Sequence, residues 1–249
     1  MKRYFWFYII ISASLALSCK SSKRMVSIEN HSQKVDNTLI SRDAQLDSII
    51  SPYKRIFDSK MNDTLAYSPK EISKERYESE LGNWVADGMK WYIDSVMKLK
   101  SDIAFCNYGG LRIKSLPKGA IQLKHIFELM PFENALVVVE LDSNELKRFL
   151  HNVIYKDGWP VSKGFYMHIS NENKLIDWSV QKQRKNNYRV ILSDYVANGG
   201  DNMDMLISKK KEETNVIIRD ALISYARHQK ILSAEKDNRT EKDKSSHGK

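Results

Sequence analysis

The sequence predicts a mixed α/β domain in which helices alternate with short strands. Apolar residues recur at helical spacing between Leu81 and Val96, and shorter apolar runs at 102–106 and 135–141 have the length of buried strands. With 249 residues, of which 42% are hydrophobic, the chain is large enough for one sizeable core. Mostly short connections between the two kinds of element indicate a layered fold.

The elements follow from periodicity and from residues that favour helix ends. A first helical stripe between Leu46 and Phe57 contains Pro52, which predicts a helix that starts or kinks there. Ser143 and Thr214 are candidates to cap two later helices. The further predicted elements are helices at 75–98, 122–129 and 144–155, a last helix after Thr214, and strands at 102–106, 135–141, 164–170, 174–182 and 188–193.

The N-terminus has the features of a bacterial lipoprotein signal peptide. Lys2 and Arg3 precede an apolar stretch, residues 4–17, that is too short for a typical transmembrane span. Ala16-Leu17-Ser18-Cys19 resembles a lipoprotein processing site in which Cys19 is acylated. The alternative is an ordinary secretory signal with an incidental cysteine. A lipid on Cys19 would tether the rest of the chain to a membrane.

These features predict four regions: a signal peptide at 1–19, a flexible tether at 20–35, a folded domain at 36–232 and a disordered basic tail at 233–249. The formal net charge is +9, and part of this excess lies in the tether and the tail. Such a distribution indicates solvated extensions and argues against a nucleic-acid-binding surface.

A short motif, Asn107-Tyr108-Gly109-Gly110-Leu111-Arg112, follows the strand predicted at 102–106. Glycine tolerates unusual backbone conformations, so a loop here can bring N–H groups close to a ligand, and Gly109 and Gly110 are candidate substrate-binding residues. The guanidinium of Arg112 suits phosphate or carboxylate. Alone, the motif is more typical of an ordinary turn.

Two later segments give this motif a context: Met130-Pro131-Phe132-Glu133-Asn134 and Tyr195-Val196-Ala197-Asn198-Gly199-Gly200-Asp201. In order and spacing, the three segments together resemble the C-terminal, substrate-specificity domain of the 5'-nucleotidase family. That family also includes UDP-sugar hydrolases and 2',3'-cyclic phosphodiesterases. The resemblance covers residues 36–232 and implies a layered α-β-β-α arrangement, with two sheets flanked by helices.

The resemblance implies a nucleotide site built on two aromatic rings. The family positions that sandwich the base correspond to Phe132 and Tyr195, with Tyr in place of the commoner Phe at the second position. Stacking of this kind is worth about 1–3 kcal/mol per base. The alternative for either residue alone is an ordinary core aromatic.

The resemblance also implies polar contacts around the rings. Asn134 would contact the base edge, Asp201 would accept hydrogen bonds from the ribose hydroxyls, and Asn107 and Arg112 would face the phosphate end. Simpler alternatives are a turn-stabilising role for Asp201 and a surface position for Arg112.

One position departs from the family pattern. Many relatives carry an Arg seven residues before the glycine that is Gly82 here, but position 75 is Glu75. Either Lys74 or Arg76 could supply this cation after a local shift; otherwise the site has one positive charge fewer.

The family's chemistry belongs to a separate N-terminal metallophosphatase domain, in which Asp, His and Asn side chains hold two metals that activate a water. The 6 histidines of this chain form no His-x-His, Asp-x-His or Gly-Asn-His arrangement. No catalytic residue, metal ligand or cofactor is therefore predicted in this chain, and Cys106, on an apolar strand, is interpreted as a buried, unreactive thiol. A dimetal centre is expected in a partner metallophosphatase.

Three functions fit these observations. The preferred one is the nucleotide-binding half of a 5'-nucleotidase-type phosphoesterase, acting in nucleotide catabolism with a separately encoded metallophosphatase. The alternatives are a non-catalytic lipoprotein that binds nucleotides or nucleotide sugars, and an interaction protein with a degenerate pocket, which Glu75 favours. The expected location is the bacterial cell envelope, with a lipid anchor on Cys19 in the outer membrane facing the periplasm.

Overall fold

The computed structural model describes residues 44–156, 158–181 and 185–243. The predicted signal peptide, Cys19 and tether lie outside these residues, as does the end of the predicted tail from residue 244 on. By its contacts the chain divides into two units, Met1–Ser48 and Ile49–Lys249, and the described part of the first unit begins at Ala44. In the described part of the chain, no helix is both long and apolar enough to cross a membrane.

The described residues form six helices and eleven strands, numbered in chain order. The helices are α1 (Ala44–Met61), α2 (Glu80–Trp91), α3 (Leu123–Leu129), α4 (Ser143–Tyr155), α5 (Asp194–Ala197) and α6 (Ile218–Gln229). The strands are β1 (Thr64–Ser68), β2 (Ile72–Ser73), β3 (Ile103–Ala104), β4 (Ser115–Leu116), β5 (Gly119–Gln122), β6 (Ala135–Asp142), β7 (Phe165–Ile169), β8 (Leu175–Val180), β9 (Asn187–Ser193), β10 (Lys211–Ile217) and β11 (Thr240–Lys242).

A four-stranded mixed sheet, in the order β10-β6-β9-β3, is the centre of the fold. Strand β6 is antiparallel to β9, and β3 is parallel to β9. Because both faces of this sheet are covered, β6 is a nearly continuous apolar run. Its alternate residues enter different cores: Val138 packs with helices α2, α3 and α6, whereas Val137 and Val139 pack with α4 and strands β7 and β8.

The remaining strands form a three-stranded sheet, β11-β7-β8, and two pairs, β1-β5 and β2-β4. The mixture of parallel and antiparallel pairing, layered with helices, confirms the predicted mixed α/β class. Helix α4 and the second sheet share one core with the central sheet, and the helices α2, α3 and α6 share the other.

Several predicted element ends need correction. Helix α2 begins at Glu80 instead of residue 75, because the Ser79 side chain caps it by accepting a hydrogen bond from the Gly82 N–H. The end of its apolar stripe forms a π-helical turn, Tyr92–Val96. Helix α1 runs through Pro52 and does not begin there.

Two predicted caps are also wrong. Asp142, not Ser143, caps α4, in a capping box with Glu145. Thr214 lies within β10, where its hydroxyl donates to the Leu136 carbonyl at 2.5 Å, and α6 starts only at Ile218. The threonine hydroxyl thus satisfies a sheet carbonyl instead of a helix N-terminus.

The tail predicted to be disordered from residue 233 is ordered as far as Asp243. Strand β11 pairs in parallel with β7, and the preceding Arg239 is only 4% exposed. Its guanidinium contacts the carboxylates of Asp87 and Asp237 and the Val161 carbonyl. Ion pairs and backbone hydrogen bonds order this segment. Neither kind of contact requires a periodic pattern of apolar residues, and the predicted helices and strands were based on such patterns.

Candidate functional site

The loop after β3 carries the first group of candidate residues. Asn107 is buried, and a single 3-10 turn, Tyr108–Gly110, follows it. A Cβ atom on residue 110 would lie 2.9 Å from the Asn107 Oδ1 atom, so glycine allows a close approach of this side chain without a positive φ. The Gly110 N–H donates to the Asn107 carbonyl at 2.9 Å and is therefore committed to the loop itself.

The loop between α3 and β6 carries the second group. Phe132 at its tip is 42% exposed, so it is not a core aromatic. The carbonyl of Asn134 accepts a hydrogen bond from the Ile218 N–H at 2.9 Å, which ties the loop to the start of α6.

A buried arginine, Arg219, supports this second loop from within the domain. Its Nη1 atom donates to the Pro131 carbonyl at 3.1 Å, and its guanidinium lies 4.2 Å from the Phe127 ring centroid. Arg219 is not among the residues predicted from the sequence. One feature of the sequence could have indicated its role: Arg219 lies in the first turn of a helix, where the helix dipole disfavours a positive charge. A cation at such a position needs a specific stabilising contact.

The third group follows β9. The Ser193 hydroxyl caps α5, and Tyr195 in this short helix is 47% exposed. The turn that follows has positive φ at Gly199 (96°), Asp201 (55°) and Asn202 (64°). One carboxylate oxygen of Asp201, Oδ2, accepts a hydrogen bond from Asn107 Nδ2 at 2.8 Å, which links the first and third groups directly.

These three groups enclose one cavity of about 300 Å³. The polar contact with Asp201 places Asn107 beside the residue expected at the sugar, whereas the resemblance had suggested the phosphate end. Of the eight predicted substrate-binding residues, the structure brings seven together around this cavity: Asn107, Gly109, Gly110, Phe132, Asn134, Tyr195 and Asp201.

The eighth residue, Arg112, lies beside Phe132, with its guanidinium carbon 5.5 Å from the ring centroid. Near it, Lys74 Nζ donates to the Leu111 carbonyl at 2.7 Å and lies 3.7 Å from the Tyr108 ring centroid. Burial lowers the pKa of Lys74, and the nearby charge of Arg112 acts in the same direction. Across the described ranges, neither cation has a carboxylate partner within ion-pair distance, so both charges are available to an anion.

Glu75, which stands where many relatives are expected to carry an arginine, forms an exposed ion pair. Its carboxylate pairs with Lys236 in the C-terminal segment. Of its two basic neighbours, Lys74 is the one that lies beside Arg112. Lys74 thus places a second positive charge near Arg112.

No group of three or more His, Cys, Asp or Glu side chains in the described part of the chain is arranged to hold a metal ion. These residues thus offer no ligand set for the dimetal centre that the family uses. The thiol of Cys106 is buried, and burial raises its pKa to about 12, so it is protonated at neutral pH as the sequence indicated.

The fold and the cavity define a class of mixed α/β domain in which two aromatic rings share a pocket with polar side chains. The sequence matches the family described as "5'-nucleotidase, C-terminal domain" over residues 61–208, more than half of the chain. The chain belongs to this family.

Known relatives agree with this assignment. A 5'-nucleotidase of Vibrio parahaemolyticus is 26% identical over 194 residues, which cover 72% of this chain and 33% of that protein. The crystal structure of a 5'-nucleotidase precursor from Thermus thermophilus has a TM-score of 0.69 at 25% identity and is matched over 78% of this chain and 42% of its own. The Haemophilus influenzae NAD nucleotidase shares the fold, with a TM-score of 0.62 at 17% identity over 81% of this chain and 42% of its own. The chain thus spans less than half the length of each of these proteins.

Proposed function

We propose that this domain binds the base and sugar of a nucleotide and presents the phosphate to a dimetal centre on a separately encoded metallophosphatase, as a step in nucleotide catabolism. The observation that carries the proposal is the pair of exposed rings, Phe132 and Tyr195, which line one cavity with the side chains of Asn107, Asn134 and Asp201. Exposed aromatic faces beside convergent polar groups are typical of a site for a flat, polar ligand.

In this proposal each part of the nucleotide has a counterpart in the site. The base stacks on Phe132 and Tyr195 while the Asn134 amide contacts its edge. The sugar hydroxyls donate to the Asp201 carboxylate. The phosphate extends out of the cavity toward Arg112 and Lys74, whose charges have no carboxylate partner among the described residues.

The metals belong to the partner in this proposal, because the described residues offer no ligand set for a metal ion. A lipid on Cys19 would keep the domain at the bacterial envelope, in the outer membrane facing the periplasm, where it could meet a partner in the same compartment.

Reconstitution tests this proposal. The purified chain should bind AMP and adenosine in calorimetry but hydrolyse no AMP, and addition of a metallophosphatase from the same organism should produce hydrolysis that a chelator abolishes. Hydrolysis by the purified chain alone that survives chelation would contradict the split arrangement. Nucleotide binding with no activation of any such partner would instead favour a binding protein without catalysis.

The altered pKa of Lys74 predicts a pH dependence. Phosphate binding favours the protonated ammonium, so its contribution is present below the Lys74 pKa and is lost as pH rises through it. Since burial places that pKa below the ordinary lysine value of 10.5, the affinity for AMP relative to adenosine should fall at a lower pH than an exposed lysine would produce. Calorimetry with both ligands over a pH series measures this ratio.

Substitutions at Lys74 sharpen this test. We expect Lys74→Met to weaken AMP binding about tenfold relative to adenosine at neutral pH, because a hydrogen bond to a charged group is lost. Lys74→Arg should remove the alkaline fall, since arginine stays charged. Lys147→Met, at an exposed position on α4, is the matched control. An equal alkaline fall in the Lys74→Arg variant would rule out Lys74 as its source.

A further inference from the structure

We propose that the phenol hydroxyl of Tyr195 positions the Asp201 carboxylate for the sugar, so that Tyr195 contributes to sugar recognition as well as to stacking. This inference rests on the proposed function, because it assigns to Asp201 the sugar hydroxyls of a nucleotide. It concerns the hydroxyl, the one group by which tyrosine differs from phenylalanine.

The contacts of the hydroxyl are specific. It donates to Asp201 Oδ1 at 3.4 Å and accepts the backbone N–H of Asp201 at 3.3 Å. The hydroxyl thus joins the side chain and the backbone of the same residue. Stacking on a base needs only the ring, so these two contacts call for a separate explanation.

The backbone at Asp201 needs such support. Its φ of 55° lies in the left-handed region, which disfavours residues with a Cβ atom, although Asp tolerates it better than most. A hydrogen bond from its own N–H to the Tyr195 hydroxyl stabilises this conformation directly. Without that bond, the turn has one fewer contact to keep the carboxylate at the cavity.

The turn also packs closely against the Tyr195 ring. A Cβ atom on Gly200 would lie 2.5 Å from the ring Cε1 atom and 2.6 Å from Cζ, so only glycine fits there. The ring and the turn therefore form one unit, in which the position of the hydroxyl and the position of Asp201 depend on each other.

The carboxylate of Asp201 is consequently contacted at both of its oxygens. Asn107 Nδ2 donates to Oδ2 at 2.8 Å, and Tyr195 donates to Oδ1. Each carboxylate oxygen can accept a further hydrogen bond, so one site for a sugar hydroxyl is left on each. A carboxylate prepared in this way suits a vicinal diol, as in ribose, because two hydroxyls can bind without reorganising the turn.

The test compares Tyr195→Phe with the unaltered full chain in two measurements. In the first, calorimetry gives Kd values for adenosine and for 2',3'-dideoxyadenosine, which keeps the base but lacks both hydroxyls. We expect the preference for adenosine, the ratio of the two Kd values, to fall about threefold to tenfold in Tyr195→Phe, as for the loss of one hydrogen bond. Tyr155→Phe, at a tyrosine that is 82% exposed on α4, should leave the ratio as in the unaltered chain.

The second measurement needs no ligand. Amide hydrogen exchange at Asp201 should be faster in Tyr195→Phe than in the unaltered chain, because the acceptor of that N–H is gone. Unchanged exchange at Asp201, or an unchanged adenosine preference, would overturn the proposal. If the unaltered chain binds neither nucleoside, the proposed function fails, and the exchange measurement still decides whether Tyr195 positions Asp201.

Discussion

Replacement of either aromatic ring should weaken nucleotide binding more than any other single change in the cavity. We expect Phe132→Ala to reduce the affinity for AMP by about 1–3 kcal/mol, on the order of tenfold to a hundredfold, because a base loses one stacking surface. Tyr195→Ala should cost at least as much, since it removes a ring and the hydroxyl that contacts Asp201. Isothermal calorimetry with AMP and adenosine measures both losses, and both ligands should be affected alike because they share the base.

The exposure of the two rings makes this experiment interpretable. At 42% and 47% exposed, Phe132 and Tyr195 lie outside both cores, so truncation should have little effect on folding. Tyr155→Ala, at an exposed ring outside the cavity, is the control. If the Phe132→Ala and Tyr195→Ala variants bind AMP with the same affinity as this control, the two rings do not stack on a base. The hypothesis of a degenerate pocket would then be favoured.

The sequence predicted the composition of the cavity better than its internal contacts. Glycine pairs and exposed aromatic residues at fixed positions have local signatures, and seven of the eight predicted residues meet around the cavity. The hydrogen bond between Asn107 and Asp201 joins residues far apart in the chain, so no local sequence pattern predicts it. That bond places Asn107 beside Asp201, the residue that the resemblance assigns to the sugar, whereas the resemblance assigns Asn107 to the phosphate end.

Residues that support the site from behind were harder to predict. The Arg219 guanidinium donates a hydrogen bond to the Pro131 carbonyl, which is distant in sequence. From the helix pattern alone, Arg219 would be interpreted as an exposed, charged surface residue. Thr214 was assigned to a helix cap because its type and position suited one, yet the central sheet extends past it. In both cases tertiary contacts override a real local preference.

The mixed α/β class was predictable because the long helices and five of the strands depend on apolar periodicity, whereas the six strands β1, β2, β4, β5, β10 and β11 were not predicted. Helix α4 and strand β9 have nearly the predicted bounds, since each places an unbroken apolar set in a core. The C-terminal segment shows the limit of this reasoning. It contains few apolar residues and is ordered by Arg239, whose burial depends on two carboxylates elsewhere in the fold.

Removal of the Arg239 charge should destabilise the fold far more than the ring and lysine substitutions do. The guanidinium bridges Asp87 and Asp237 and also donates to the Val161 carbonyl at 2.8 Å. Arg239→Met keeps much of the apolar stem but leaves these groups without their donor, so the free energy of unfolding should fall by about 3 kcal/mol. Urea unfolding followed by circular dichroism measures this loss, which should come with faster proteolysis near β11.

Lys236→Met provides a matched control for that effect, because it also replaces a cation by methionine in the same segment. The ion pair of Lys236 with Glu75 is exposed, with side chains 42% and 55% accessible, so its loss should cost less than about 1 kcal/mol. The contrast between the two variants isolates burial as the cause, since both lose one positive charge and gain the same side chain. Equal stability of the two variants would mean that the segment from Arg239 to β11 is not anchored by its buried guanidinium, and that its order depends on the backbone pairing with β7 alone.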